Sequence, residues 1–311
     1  MFINPLVYEK SSVYRQDFET AQPFKHLVID NFLVGEQVQI LLENFPSFNP
    51  QKAISELGKV GGKAVNEDLI GLGGIYQQFG RYIQAKEFLE LISQLTGIDN
   101  LIPDPSFYGG GTHENLHGQE LDPHVDFNLD ERHWYHRRLN LLIYLNPQWQ
   151  ADWGGNLELH SNPRQPEENK IKSFVPIFNR CLIFATNEHS WHGFSQINLP
   201  ENQRHLSRKS LSIYLYTKER PIEELSPSHT TFYIPRPLPE NIQPHQVLSS
   251  EDYQQIKILL KRRDDLIRFY QDRELKESQD LVSLKSHIKR YLSLQYPRLW
   301  KIIKSLLRWR K

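Results

Sequence analysis

Cysteine is nearly absent from this chain of 311 residues: Cys181 stands alone, so no intrachain disulfide can form and no cysteine-based zinc site exists. Long apolar runs are missing too, and no stretch of eighteen apolar residues is available for a membrane span. The opening MFINPLVYEK has neither the basic segment nor the extended apolar core of a secretory signal. A reducing cytoplasm is the location these absences lead one to expect. Net charge is lacking as well, since 37 basic side chains balance 37 acidic ones. The balance is uneven along the chain. From Glu251 to Lys311 there are 16 Lys and Arg against 8 Asp and Glu, which gives +8 and leaves −8 on the rest. The tail therefore reads as a separate unit.

Aromatic residues are plentiful, at 12%, which suits a β-rich core. Residues 1–23 show no sustained periodicity and read as an irregular arm. Phe24 to Leu33 reads as a short strand and turn, followed by a helix through about Phe45. Gly58 to Gly74 reads as a loop. A helix from about Gln77 to Leu95 is predicted by the stripe Phe79, Ile83, Phe88, Leu91, Ile92 and Leu95. From Ser106 to about Lys218, short apolar runs alternate with Gly, Pro and Asn, the pattern of an all-β sandwich or barrel. A Pro-rich stretch over 221–248 reads as a linker or wrapping arm. Ser249, with Glu251 and Asp252 in the first turn, opens a long charged helix, so 249–311 is expected to be a basic helical extension.

Two runs have period two. In Arg138 to Asn146 the odd positions Leu139, Leu141, Ile143 and Leu145 are aliphatic, and Arg138, Asn140, Leu142 and Tyr144 take the even ones. In Arg208 to Tyr216 the odd positions include Leu211, Ile213 and Leu215, while Arg208, Ser210, Ser212 and Tyr214 are even. Both are strands with one apolar and one hydrogen-bonding face.

The chemistry lies in Leu121-Asp-Pro-His124-Val-Asp126, followed 66 residues later by His192. On a strand, positions i and i+2 share a face, so His124 and Asp126 can reach one ion, with His192 supplied from a distant strand. Two imidazoles and a carboxylate on one face leave open positions, which suits non-haem iron(II) and a bidentate 2-oxo acid. The far carboxylate of such an acid needs a cation. Arg208 lies 16 residues after His192 on a polar strand face, with Ser210 beside it to donate another hydrogen bond. That placement turns the polar faces inward.

These residues, together with Leu142 to Asn146, Trp153-Gly-Gly-Asn-Leu-Glu-Leu159 and Cys181 to Phe184, make the segment resemble the 2-oxoglutarate/iron(II) oxygenases of prolyl 4-hydroxylase type. The resemblance covers about residues 24–220. It implies a mainly β fold with flanking helices: a double-stranded β-helix jelly roll over about 106–218, with supporting helices and a helical C-terminal tail. It implies iron(II), 2-oxoglutarate and dioxygen as reactants, with ascorbate a candidate further cofactor. The implied reaction is hydroxylation, with release of succinate and carbon dioxide. It also gives Tyr144 a contact with the distal carboxylate of 2-oxoglutarate.

Residues 109–123 stand as an apparent insertion between Tyr108 and His124. The substrate stays open between an amino-acid side chain such as proline, a small molecule and a saccharide. Rival readings are a non-catalytic jelly-roll binding module and a hydrolase using another metal at the same triad. The other histidines near the motif, His113, His117, His133, His136 and His189, read as surface or core residues. Cys181 reads as inert core. In the tail, Leu299, Ile302, Ile303, Leu306 and Leu307 form a stripe for docking on the body. Trp300 and Trp309 among basic residues suit an anionic membrane surface or a partner, and no specific nucleic-acid binding is expected.

Overall fold

The computed structural model describes residues 1–54, 63–104, 106–130, 132–239, 241–296 and 299. Its helices are α1 (Pro5–Glu9), α2 (Ser11–Thr20), α3 (Gly35–Glu43), α4 (Gly74–Tyr82), α5 (Lys86–Thr96) and α6 (Ser250–Gln295). Its strands run β1 (His26–Asp30), β2 (Ala53–Ile54), β3 (Lys63–Asn66), β4 (Ile102–Pro103), β5 (Gly111–Asn115), β6 (Leu121–Val125) and β7 (Leu129–Asp130). They continue as β8 (Tyr135–Tyr144), β9 (Leu157–His160), β10 (Ile171–Phe174), β11 (Arg180–Ala185), β12 (Trp191–Phe194), β13 (Arg208–Thr217) and β14 (Phe232–Tyr233). Residues 1–237 and 238–311 are two compact units. No described helix is long and apolar enough to cross a membrane.

The strands form two antiparallel sheets. The larger has the order β1-β11-β8-β13-β5-β3-β2 and the smaller β10-β9-β12-β6-β14. From β5 to β13, with the short β7 aside, the chain visits the larger sheet, the smaller, the larger, the smaller twice, then the larger, the smaller and the larger. That alternation places β11-β8-β13-β5 opposite β10-β9-β12-β6, which is the double-stranded β-helix jelly roll.

The period-two strands divide as their sequence dictates. Leu139, Leu141, Ile143, Leu145, Leu211, Ile213 and Leu215 join one core with Phe79, Phe88, Leu91 and Leu95 of the helical layer. Tyr144, on the other face, packs with Leu157, Leu159, Leu182 and Phe184 between the sheets. The register Leu211↔Ile143 and Ile213↔Leu141 aligns the two aliphatic rows.

Several expectations are corrected. Residues 1–23 are not an irregular arm but α1 and α2. Asn4 caps α1, with Pro5 in its first turn, and the buried Val7 and Phe18 fix the pair. Helices this short carry too few apolar residues to show a period, and tertiary packing makes them. The single helix predicted from Gln77 to Leu95 is two, α4 and α5, broken at 83–85. The loop expected over Gly58–Gly74 contains β3, while 55–62 lie outside the described residues. The apparent insertion at 109–123 is β5, a turn and the start of β6. All five residues of β5 are buried, including His113, Glu114 and Asn115, so alternation could not reveal it.

Residues 221–237 wrap the jelly roll: β14 extends the smaller sheet beside β6, and Ile234 N donates to the Pro123 carbonyl. In the second unit, Ser249 caps α6 through a reciprocal capping box with Asp252. Of the stripe and aromatic residues assigned to the tail, Leu299 is described; Trp300, Ile302, Ile303, Leu306, Leu307 and Trp309 lie outside the described residues.

The facing aliphatic rows predict that Leu141→Ala destabilises the domain by about 2–5 kcal/mol. Urea unfolding checks this, and a loss well under 1 kcal/mol would contradict a close-packed outer face.

Candidate metal centre

Three ligand-type side chains meet between the sheets. His124, from β6, and His192, from β12, are directly opposed in register, and Asp126 follows the end of β6. Candidate ligand atoms of all three lie within 4.8 Å of one another. His124 Nε2 is 3.8 Å from Asp126 Oδ1, and His192 Nε2 is 3.6 Å from Oδ2.

The histidine tautomers follow from their partners. His124 Nδ1 lies 2.9 Å from the Asp122 carbonyl oxygen, and His192 Nδ1 lies 2.8 Å from that of Ser190. A carbonyl can only accept, so each Nδ1 carries the proton and each Nε2 turns a lone pair toward Asp126. Burial, followed by the neighbouring His192, lowers the His124 pKa to about 3. Burial also lowers that of His192. Both rings are therefore neutral, the form that binds metal.

Asp126 is held from behind. Asn140 Nδ2 donates to Oδ2 at 2.7 Å, and the Arg137 guanidinium lies 3.1 Å from the same oxygen. Burial raises the carboxyl pKa, but the Arg137 guanidinium, helped by the Asn140 hydrogen bond, outweighs it and holds the group below the usual carboxylate range. Arg137 is itself 2% exposed. It donates twice to Asn140 Oδ1 and lies under the Tyr214 ring at 3.7 Å. The donor set of two neutral imidazoles and one carboxylate fits iron(II).

Arg137 corrects the parity argument. It occupies an odd position, which should face the helices, whereas Arg138 was expected inside. The register steps from Leu215↔Leu139 to Tyr216↔Arg137, so β8 carries one extra residue there. This bulge turns Arg137 inward and sends Arg138 outward to Thr217 and Glu224.

Arg208 lies where its strand parity predicted, 4% exposed. Its Nε donates to the Gly155 carbonyl at 2.6 Å and its Nη2 to the Tyr144 hydroxyl at 3.3 Å, with the Phe194 ring 4.4 Å away. Gly154 and Gly155 both have positive φ, and a Cβ on Gly155 would lie 3.1 Å from Arg208 Cδ, so glycine is what fits against this side chain. Burial pulls the guanidinium below its ordinary pKa. Each hydrogen-bond partner is neutral, so among the described residues the buried charge has no carboxylate partner, as expected where a ligand supplies the anion. Ser210 is buried opposite Tyr144 in the β8–β13 register.

Sequence reasoning missed Arg137 and Tyr233 as parts of the site. Tyr233, on β14, sets its ring 5.1 Å from that of His124, and its Pro-rich surroundings gave no signal. Asn140 was on the inward face, but its link to Asp126 was not legible. Tyr108 is 53% exposed and contacts the Phe127 ring, outside the triad. His113 is buried; its Nε2 donates to the Gly109 carbonyl and its Nδ1 lies 3.0 Å from Ser212 Oγ.

Two outcomes follow. Asn140→Leu should weaken Mn(II) binding by about 10–100-fold while the protein stays folded, as calorimetry and circular dichroism would show. In metal-free protein, His113, His124 and His192 have pKa values depressed below the unfolded value of 6.5. Between pH 6.5 and those lower values the unfolded chain binds more protons than the folded one, so stability is lost as the pH is lowered. The urea midpoint should be lower at pH 5 than at pH 7.5, and less so in His113→Gln; an unchanged midpoint would contradict the neutral rings.

Residues 110–216 match the profile of the 2OG-Fe(II) oxygenase superfamily. A Mus musculus protein named prolyl 3-hydroxylase OGFOD1 is 24% identical over 245 residues, 73% of this chain and 38% of its own length. The Xenopus laevis protein of that name is 25% identical over 180 residues, 56% of this chain and 32% of its own length. The chain thus spans well under half of these relatives. A solved prolyl 4-hydroxylase structure from Phytophthora capsici aligns with a TM-score of 0.47 and 18% identity, covering 96% of this chain and 92% of that one. Residues 110–216 are thus similar to the 2OG-Fe(II) oxygenase superfamily, the match lying on the segment that carries the triad and Arg208.

Proposed function

We propose that this protein is an iron(II)- and 2-oxoglutarate-dependent dioxygenase that hydroxylates a prolyl residue of a polypeptide, releasing succinate and carbon dioxide. The observation that carries the oxygenase reading is Arg208, a buried guanidinium with neutral partners alone, in the same jelly-roll interior as the triad. A hydrolase or a passive binding module has no use for such a charge. The prolyl assignment rests on the names of the two curated relatives.

His124 and His192 would offer their Nε2 lone pairs to iron(II), and Asp126 its Oδ1, because Asn140 and Arg137 engage Oδ2. Arg208 would take the distal carboxylate of 2-oxoglutarate, since neither of its protein hydrogen bonds uses Nη1. The Tyr144 hydroxyl accepts from Arg208 and so keeps its own proton to donate to that carboxylate. Ser210, facing Tyr144 across the strands, would add a further donor. Leu157, Leu159 and Phe184 exclude water around these groups. When bound, iron(II) with 2-oxoglutarate supplies the activation of dioxygen that converts C–H to C–OH. Arg137 and Arg208 together outweigh Asp126, so the cavity favours a dianionic co-substrate before any metal enters.

Anaerobic addition of iron(II) and then 2-oxoglutarate should give the visible charge-transfer band of a chelated 2-oxo acid. Asp126→Ala should abolish it, and Arg208→Ala should raise the 2-oxoglutarate needed by about two orders of magnitude. No band from the metal-loaded wild type would remove the oxygenase reading. Mass spectrometry of proline-containing polypeptides after aerobic turnover tests the substrate. An added oxygen on a residue other than proline would keep the chemistry and discard the prolyl assignment.

A further inference from the structure

On the outer face of the larger sheet, away from the triad, lies an open cavity of about 940 Å³ whose lining includes Lys25, Arg138, Thr217, Lys218, Arg220 and Glu224. Two of its arginines are deeply sunk, with side chains 9% exposed for Arg138 and 5% for Arg220. Both address a single oxygen: Glu224 Oε2 is 3.1 Å from Arg138 Nη2 and 3.3 Å from Arg220 Nε. Glu224 itself is 41% exposed and belongs to the short turn Ile222–Glu224. A partly exposed carboxylate on a turn thus occupies a seat built from buried cations.

The seat is held by contacts of its own, whereas the contacts shown for the Glu224 side chain are those with the two arginines. Arg220 Nη1 donates to the Arg137 carbonyl at 3.2 Å and its Nη2 to that of Thr186 at 2.8 Å, which fixes the direction of Nε. Arg138 is placed by the β8 bulge, and its Nη1 reaches the Thr217 hydroxyl at 3.5 Å. The two guanidiniums are felt nearby: burial and then Arg220 and Arg138 hold the partly buried His136 below its ordinary pKa. The cavity wall as a whole is mixed, with Lys25 and Lys218 beside Glu19, Asp99 and Glu219. With Glu224 swung aside, the two buried guanidiniums would lose the one carboxylate they are paired with among the described residues.

We propose that Arg138 and Arg220 form a second ligand seat, for a small carboxylate or phosphate, in which Glu224 is a displaceable occupant. The geometry suits a planar fork on an oxyanion. The seat is linked to the metal centre through one residue, since the backbone carbonyl that receives Arg220 belongs to Arg137, whose side chain holds Asp126. It does not depend on which substrate the enzyme hydroxylates, and its test needs neither metal nor turnover.

Calorimetric titration of the metal-free full chain with inorganic phosphate, and separately with malonate, tests the seat. Glu224→Gln should bind at least one of the two anions about tenfold more tightly than wild type. Adding Arg138→Gln to that variant should return the affinity to wild type or below. Tighter binding of phosphate or of malonate names the class. Glu224→Gln binding neither anion more tightly than wild type, or the double variant keeping the gain, would overturn the proposal. Should Arg138→Gln prove unfolded by circular dichroism, Arg138→Lys replaces it. That variant keeps the charge and loses the fork, so it must still bind about tenfold more weakly than Glu224→Gln alone.

Discussion

A β-sheet whose two faces are both covered must satisfy different chemistry on each. The β8–β13 pair meets that constraint with aliphatic side chains toward the helices and polar ones toward the smaller sheet. The aliphatic face needs nothing beyond close packing. The polar face has been taken out of water, so every donor and acceptor on it must find a partner inside the jelly roll or receive one from a ligand. Asn140 finds Asp126 and Arg137, and Ser212 finds His113. Arg208 finds a carbonyl for Nε and a phenol for Nη2, which leaves Nη1 and its charge unmatched among the described residues. The cavity is thus incomplete at Arg208 in both hydrogen bonding and charge, and that prepares it for an anion.

The second departure from regularity is the extra residue in β8. Without the bulge, Arg137 would fall on the helix-facing side and Asp126 would lose its nearest cation. With it, consecutive arginines serve opposite faces: Arg137 compensates Asp126, and Arg138 meets Glu224. Neutralising one carboxylate oxygen from behind leaves the other to define a direction for the metal. Fixing each imidazole through a carbonyl on Nδ1 does the same for the two nitrogens. All three ligand groups are oriented by protein atoms before any ion arrives, which is what a site built on strands achieves more readily than one built on loops.

This division explains what the sequence could show. Alternation in Leu139 to Leu145 and in Leu211 to Leu215 made both strands and their faces legible, and with them the inward placement of Tyr144, Arg208 and Ser210. The His124 and Asp126 pair was legible because spacing i, i+2 on a strand is a geometric statement. The strand β5 was not, since a strand buried among polar partners has no apolar period to display. Arg137 was hidden because a bulge is set by pairing with β13 rather than by the local string. The helices α1 and α2 were hidden because their stability comes from what they touch.

The wrapping segment shows the same logic at the edge of the smaller sheet. Unpaired, β6 would expose a row of backbone groups beside the metal ligands, where water or another chain could pair with them. Proline-rich sequence suits an added edge strand, because each proline removes a donor that would otherwise point outward. β14 pairs with β6 for two residues, and its Tyr233 ring covers His124. Three residues on, Arg236 Nη2 donates to the carbonyls of Leu121 and Phe194 and lies 2.8 Å from Glu158, while its Nε lies 3.3 Å from Glu120. One guanidinium thereby ties β6, β9 and β12 together behind the triad. The segment that reads as a linker or wrapping arm is the part that closes the sheet carrying the two histidines, and it adds the Tyr233 ring to the Asp122 carbonyl as a neighbour that packs on His124.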